Sequence, residues 1–310
     1  SAAMESCFVN MIEPNDKVLI LQNGYFGLRM DNMCKRLGAK ITLLEFEWGK
    51  AVDVDVVQKH LSEHSYNVIA VVHAETSTGV KNSINEISKF IDSDTIFIVD
   101  AVTSLGTIDI QVDSWNIDAI YSCSQKGLSC PPGASPISFS DKALNKMKKR
   151  KNLPPNWYLD MSEIIKYWDG SQRVYHHTAP VNLIYALREA LVLIHEEGLE
   201  NIQARHTLNY KAFKAGIDAM GLQFFVDEIH RAPTINPVLA PEGIDEANVR
   251  KRLLDEYGLE LGGGLGTLKG KAWRVGLMGQ SSQKDHVLLC LGALEQALRA
   301  EGHEIAESGV

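Results

Sequence analysis

The chain has 310 residues, 45% of them hydrophobic and 23% charged, the balance of an ordinary globular protein long enough for one large domain or a large and a small one. A formal net charge of −8 excludes the basic face that nucleic-acid binding requires. There is no apolar run of membrane-spanning length, no basic-then-apolar leader, and no C-x-x-C pair among the cysteines at 7, 34, 123, 130 and 290, so the expectation is a soluble, cytoplasmic protein with reduced thiols and no membrane partner.

In chain order, residues 17–21 (KVLIL) read as a strand, 27–37 as a helix, 40–46 as a strand, 52–63 as a helix, 67–73 as a strand and 84–91 as a helix. Residues 95–99 and 118–122 are further strands. The strands are continuous apolar runs rather than alternating ones, which predicts an α/β fold with a mostly parallel sheet covered on both faces. After Pro180, residues 181–197 form an amphipathic helix that Gly198 terminates. A helix over 199–220, strands over 222–226 and 234–239, and helices over 244–256 and 284–301 predict a smaller α+β unit, with 306–310 as a frayed tail. The boundary is drawn at 197, giving a large domain over 1–197 and a small one over 198–310.

In such sheets ligands collect at the carboxyl ends of strands, and Thr76, Asp100 and Lys126 all follow strand ends. Taken alone, each has a plain reading: Lys126 as a solvated charge, Asp100 as a helix cap or turn residue, Thr76 and Ser77 as turn hydroxyls. Together a lysine and a buried carboxylate suit a pyridoxal phosphate (PLP) enzyme, in which the amine condenses with the cofactor aldehyde and the carboxylate keeps the pyridine nitrogen protonated. The strings Ile98-Val99-Asp100-Ala101-Val102-Thr103-Ser104-Leu105-Gly106 and Ser122-Cys123-Ser124-Gln125-Lys126-Gly127-Leu128, the latter followed by Pro131-Pro132-Gly133, resemble the class V aminotransferases, within them the alanine:glyoxylate / serine:pyruvate (serine:glyoxylate) group.

That resemblance implies the PLP-transferase fold type I and a set of roles. Lys126 would carry the cofactor and shuttle a proton between substrate Cα and cofactor, with Gln125 beside it. Asp100 would pair with the pyridine nitrogen, and Val102 would pack beneath the ring. Thr76, within His73-Ala74-Glu75-Thr76-Ser77-Thr78-Gly79-Val80, would contact the phenolic side of the cofactor. Phe26 stands where the family most often has a stacking tryptophan, although it could equally be a core aromatic. Arg274, in Lys271-Ala272-Trp273-Arg274-Val275-Gly276, matches the arginine that grips the substrate α-carboxylate, a structural salt bridge being the alternative. The run 262–266 lacks the G-K-[ST] ending of a phosphate loop and is expected to be a turn. Tyr175 and Thr178, in Tyr175-His176-His177-Thr178-Ala179-Pro180, would reach the phosphate of a partner's cofactor, which implies a homodimer with interfacial sites. The adjacent histidines point opposite ways on an extended segment, so no metal site is expected.

The opening Ser1-Ala2-Ala3-Met4-Glu5-Ser6 resembles the helix whose N-terminus cradles the PLP phosphate, with Ser1 at the phosphate end. The sequence begins inside that motif, without the family's preceding arm and phosphate glycine, so partial cofactor occupancy and a weakened dimer are expected. The resemblance implies a ping-pong aminotransferase moving an amino group from alanine or serine to glyoxylate or pyruvate. Glu47-Trp48-Gly49 leans toward the serine:glyoxylate branch and Ala134-Ser135-Pro136-Ile137-Ser138-Phe139 toward the alanine:glyoxylate branch, and 3-hydroxykynurenine is a further donor among relatives, which leaves the donor open. A cysteine desulfurase is disfavoured because Gln125 replaces the histidine that such enzymes carry before the lysine. A non-catalytic dimerisation or binding module is the reading from a different class, and the joint presence of Asp100, Lys126 and Arg274 counts against it.

Overall fold

The computed structural model describes residues 1–168, 174–305 and 307–310. The chain opens with α1 (Ala2–Met11), then runs β1 (Lys17–Gln22), α2 (Tyr25–Arg36), β2 (Lys40–Glu45), α3 (Val54–Glu63) and β3 (Val68–Val72). A tight antiparallel hairpin of β4 (Ala74–Glu75) and β5 (Val80–Lys81) precedes α4 (Ile84–Ser88), β6 (Ile96–Asp100), β7 (Ala119–Tyr121) and β8 (Ile137–Phe139). Then follow α5 (Asp141–Lys148), α6 (Met161–Trp168), α7 (Val181–Glu197) and α8 (Leu199–Ala219). The chain closes with β9 (Ile235–Leu239), α9 (Glu246–Tyr257), β10 (Gly262–Gly263), β11 (Ala272–Gly276) and α10 (Lys284–Ala300).

The main sheet has the order β2-β1-β3-β6-β7-β8, parallel throughout except for antiparallel β8. Alternation along β1 sends Val18 and Ile20 to a layer with Phe8 and Met30 from α1 and α2, and Leu19 and Leu21 to a layer with Val57, Ile84 and Ile87 from α3 and α4. Burial on both faces is why these strands read as unbroken apolar runs. Because β2 and β3 flank β1 on opposite sides, the carboxyl ends of β1 and β3 open a crevice at a switch in strand order, the usual ligand position in such sheets.

A second, antiparallel sheet, β10-β11-β9, packs under α8, α9 and α10 around Phe213, Trp273 and Leu294. The Trp273 indole N–H donates to the Glu246 carbonyl at 3.1 Å, so its burial leaves no orphan donor. Helix α7 buries only Ala190, and its exposed Ile184 and Leu191 line a cavity of about 1470 Å³. Among the described residues no helix is long and apolar enough to cross a membrane, and no cluster of His, Cys, Asp and Glu could hold a metal ion.

Several expectations change. Residues 222–226 form no strand; a single bridge, Phe224 to Val238, joins them to β9. The glycine run is a strand rather than a turn at Gly262 and Gly263, which pair antiparallel with Arg274 and Trp273; a Cβ at either would sit tightly against Arg274 or the Glu246–Arg250 pair. The tail is docked instead of frayed: the Ser308 hydroxyl and the Gly309 N–H both donate to the Glu295 carboxylate, at 2.7 and 3.1 Å, residue 306 lying outside the described residues. All five cysteines are free and buried.

Candidate active site

Asp100 ends β6 with 2% of its surface exposed. Its Oδ1 accepts the Val102 N–H at 2.8 Å, the turn bond that its bland reading anticipated. Burial pushes its carboxyl up to about 6, against the opposing pull of that N–H, of Tyr121, of the chain's amino terminus and of Arg29. The Tyr121 hydroxyl lies close enough for burial and the Asp100 charge to raise it, without the geometry of a hydrogen bond. Lys126 sits in the turn after β7, half-buried, and this turn is pinned by Ser122 Oγ donating to the Ala101 carbonyl (3.0 Å) and Ser124 Oγ to that of Pro131 (2.7 Å). Burial lowers its amine below the usual lysine range and the Arg274 charge lowers it further, while Cys123 opposes both.

Arg274 arrives from the other sheet. On β11, it donates from Nε to the Gly263 carbonyl at 2.7 Å and from Nη1 to the Thr76 carbonyl at 3.3 Å. Its hydrogen-bond partners are neutral carbonyls, and the Glu75 charge acts on it without forming an ion pair. Thr76, 6% exposed, hydrogen-bonds through its hydroxyl to that of Thr103, and Thr234 Oγ1 donates to the Thr103 carbonyl at 3.1 Å. Val102 is half-buried against the α1–α2 side of the sheet. Phe26 is half-buried at the start of α2, with the Arg29 guanidinium 4.8 Å from its ring centroid.

Ser1, at the start of α1, accepts from Arg29 Nη1 through its Oγ at 3.0 Å, and the Arg29 charge acts on Asp100. Thus Lys126, Asp100, Val102, Thr76, Phe26, Ser1 and Arg274 converge. Gln125 is exposed beside Lys126. Tyr175 and Thr178 stand apart, exposed and hydrogen-bonded to each other at 3.0 Å. Sequence reasoning assigned no role to Glu75, Arg29, Thr103 or Tyr121. Glu75 is fully buried, its carboxyl pushed up to about 7 by burial and by Asp100, against hydrogen bonds from Ser77 and Phe26.

Among the described residues, neither Asp100 nor Glu75 has a cationic side chain within 4 Å, and neither Lys126 nor Arg274 a carboxylate. The deficits are complementary. A ligand carrying a cationic ring nitrogen for Asp100, an aldehyde for the Lys126 amine and an anionic group for Arg274 and the start of α1 fits this donor set, and a metal ion does not.

Residues 1–285 match the profile of the family Aminotransferase class-V. The (S)-ureidoglycine–glyoxylate transaminase of Bacillus subtilis is 37% identical over 96% of this chain and 76% of its own length. The alanine–glyoxylate aminotransferase of Callithrix jacchus is 37% identical over 96% and 73%. Among solved structures, alanine–glyoxylate aminotransferase from Nostoc sp. superposes with a TM-score of 0.91 at 47% identity, covering 96% of this chain and 79% of that one. Ureidoglycine–glyoxylate aminotransferase from Bacillus subtilis gives 0.96 at 37%, covering 99% and 80%.

Proposed function

Because the chain belongs to the class-V aminotransferases, which depend on pyridoxal phosphate, we propose that it transfers the amino group of a small amino acid to glyoxylate through Lys126, Asp100 and Arg274. When bound, the cofactor supplies an aldehyde that holds the amino group and a protonated ring that accepts electron density. Asp100 keeps the proton on the ring nitrogen, and a cationic partner brings its own carboxyl back down. Phe26 and Val102, both half-buried at the site, would hold the cofactor ring in place. Arg274 would take the α-carboxylate of donor and acceptor alike with a guanidinium that forms no ion pair within the chain. The Lys126 amine, whose affinity for a proton burial and Arg274 lower, would be the base that takes the substrate Cα proton and returns it. The α1 terminus with Ser1 and Arg29 receives the phosphate.

The observation that carries this reading is the delivery of Arg274 from β11 to the Thr76 turn, beside a lysine whose pKa it lowers. Glyoxylate is the acceptor because it recurs in the names of the relatives, whose donors differ: alanine in some, (S)-ureidoglycine in another. Exposed Tyr175 and Thr178 suit contact with a partner's cofactor in a homodimer. The test is glycine formation from glyoxylate with alanine, serine or (S)-ureidoglycine, in the wild type and in Lys126→Ala. A cofactor absorbance band and turnover that the variant loses support the enzyme. Equal rates in both would return the chain to a non-catalytic binding module.

A further inference from the structure

Helix α2 presents its first N–H groups to the site, yet its N-cap is Gly24, which has no side chain to satisfy them. The acceptors come from outside the helix. Ser77 Oγ accepts the Tyr25 N–H at 2.9 Å and Glu75 Oε2 accepts the Phe26 N–H at 3.2 Å. The other carboxylate oxygen, Oε1, accepts the Ser77 N–H at 3.1 Å and the Ser77 hydroxyl at 2.6 Å. Glycine at 24 is a steric requirement of this arrangement, because a Cβ there would stand 2.3 Å from Glu75 Cγ and 2.7 Å from Ser77 Oγ. A Ser or Asp cap at 24 is thereby excluded, and the hairpin supplies the cap in its place.

One carboxylate therefore ties together three parts of the site. Through Oε2 it sets the start of α2 and with it the backbone of Phe26. Through Oε1 it closes the turn carrying Thr76, whose carbonyl receives Arg274. Its charge also acts on Arg274 directly and on Tyr121, and the Asp100 charge acts on it. Full burial without an ion-pair partner is costly for a carboxylate, and a neutral residue would pack here at lower cost. What a neutral residue could not do is accept from both sides at once at a helix N-terminus.

We infer that Glu75 is a positioning residue of the site: it caps α2 from the β4–β5 hairpin and so sets Phe26 over the cofactor and Thr76 beneath Arg274. The inference deepens the proposed function and rests on it only for the cofactor.

The first arm needs no cofactor. In the full chain without PLP, Glu75→Gln keeps the volume but replaces one acceptor oxygen with a donor, so either the Phe26 or the Ser77 N–H loses its partner. Hydrogen exchange read on residues 24–28 and 75–78 is expected to accelerate about tenfold in at least one segment, with strand residues 96–100 unchanged as the internal reference. Gly24→Ala, which leaves Glu75 in the chain but displaces it, should reproduce the acceleration. Unchanged exchange in both variants overturns the cap.

The second arm is PLP affinity by absorbance titration. Glu75→Gln should raise Kd about tenfold in the wild-type background and less than twofold in Phe26→Leu, where the ring being positioned is gone. The same loss in both backgrounds would make Glu75 a merely structural residue. Should Lys126→Ala leave PLP binding intact, the functional reading fails while the exchange arm still decides the cap.

Discussion

Two sets of buried carboxylates divide the molecule. Around the small sheet, Glu246 and Glu295 are 3% and 6% exposed, and each has an arginine one helical turn away, Arg250 and Arg299. Glu295 also accepts from Ser308 and Gly309, and these bonds hold its carboxyl below the usual range. At the carboxyl ends of the large sheet, Asp100 and Glu75 are as deeply buried, yet neither has a cation within ion-pair distance and both are pushed up, to about 6 and about 7. Pairing within the chain marks a carboxylate that holds structure. Burial without pairing marks one kept for the site, Asp100 for a partner from outside and Glu75 for the helix start that it caps.

The sharpest way to break that contrast is Lys126→Ala. If the large-sheet charges exist for chemistry, amino transfer to glyoxylate should fall by at least about a thousandfold, with the fold retained by circular dichroism. Arg274→Lys comes next. A point charge cannot reproduce the guanidinium fork to Gly263, Thr76 and a carboxylate, so KM for the 2-oxo acid should rise roughly 10- to 100-fold, with a smaller change in kcat.

Asp100→Asn sharpens the comparison through stability. A carboxyl raised by folding contributes stability that is present below its unfolded value near 3.8 and is lost as pH climbs through about 6. The cofactor-free wild type should therefore lose melting temperature between about pH 4 and 7. At pH 7.5 Asp100→Asn should be more stable by on the order of 1–3 kcal/mol while binding PLP poorly, and a variant that melts lower would refute the sign. The smallest effect is expected at the small sheet. Glu295→Ala should cost about 1–2 kcal/mol and free residues 307–310 to exchange, with PLP affinity and turnover unchanged.

Much of this was legible in the residues. The parallel strands could be read because burial on both faces makes them continuous apolar runs, and Asp100, Lys126 and Arg274 because they sit in distinctive strings. Strand β8 and helices α5 and α6 were not anticipated. The three residues of β8 are too few to show a period, and α5 announces itself only through the Ser140 cap, whose Oγ accepts the Ala143 N–H at 3.1 Å. Residues 222–226 have strand composition, yet their pairing with β9 ends at one bridge, Phe224 to Val238, flanked by the Phe225 N–H to Pro237 carbonyl and Leu239 N–H to Gln223 carbonyl bonds. Glu75 escaped because its meaning lies in an N–H 49 positions earlier, and no local pattern encodes that.

The hydrogen bond from Arg274 to Thr76 closes a loop of 198 positions. Local helices and the βαβ units can form long before such a distant pairing, because loop closure must precede the contacts that reward it. The docking of Arg274 onto the Thr76 turn is therefore among the last features a folding chain acquires. A molecule whose two sheets have formed but not docked would have its secondary structure and still lack the arginine at its active centre, so recovery of turnover on refolding should lag behind recovery of the far-ultraviolet signal.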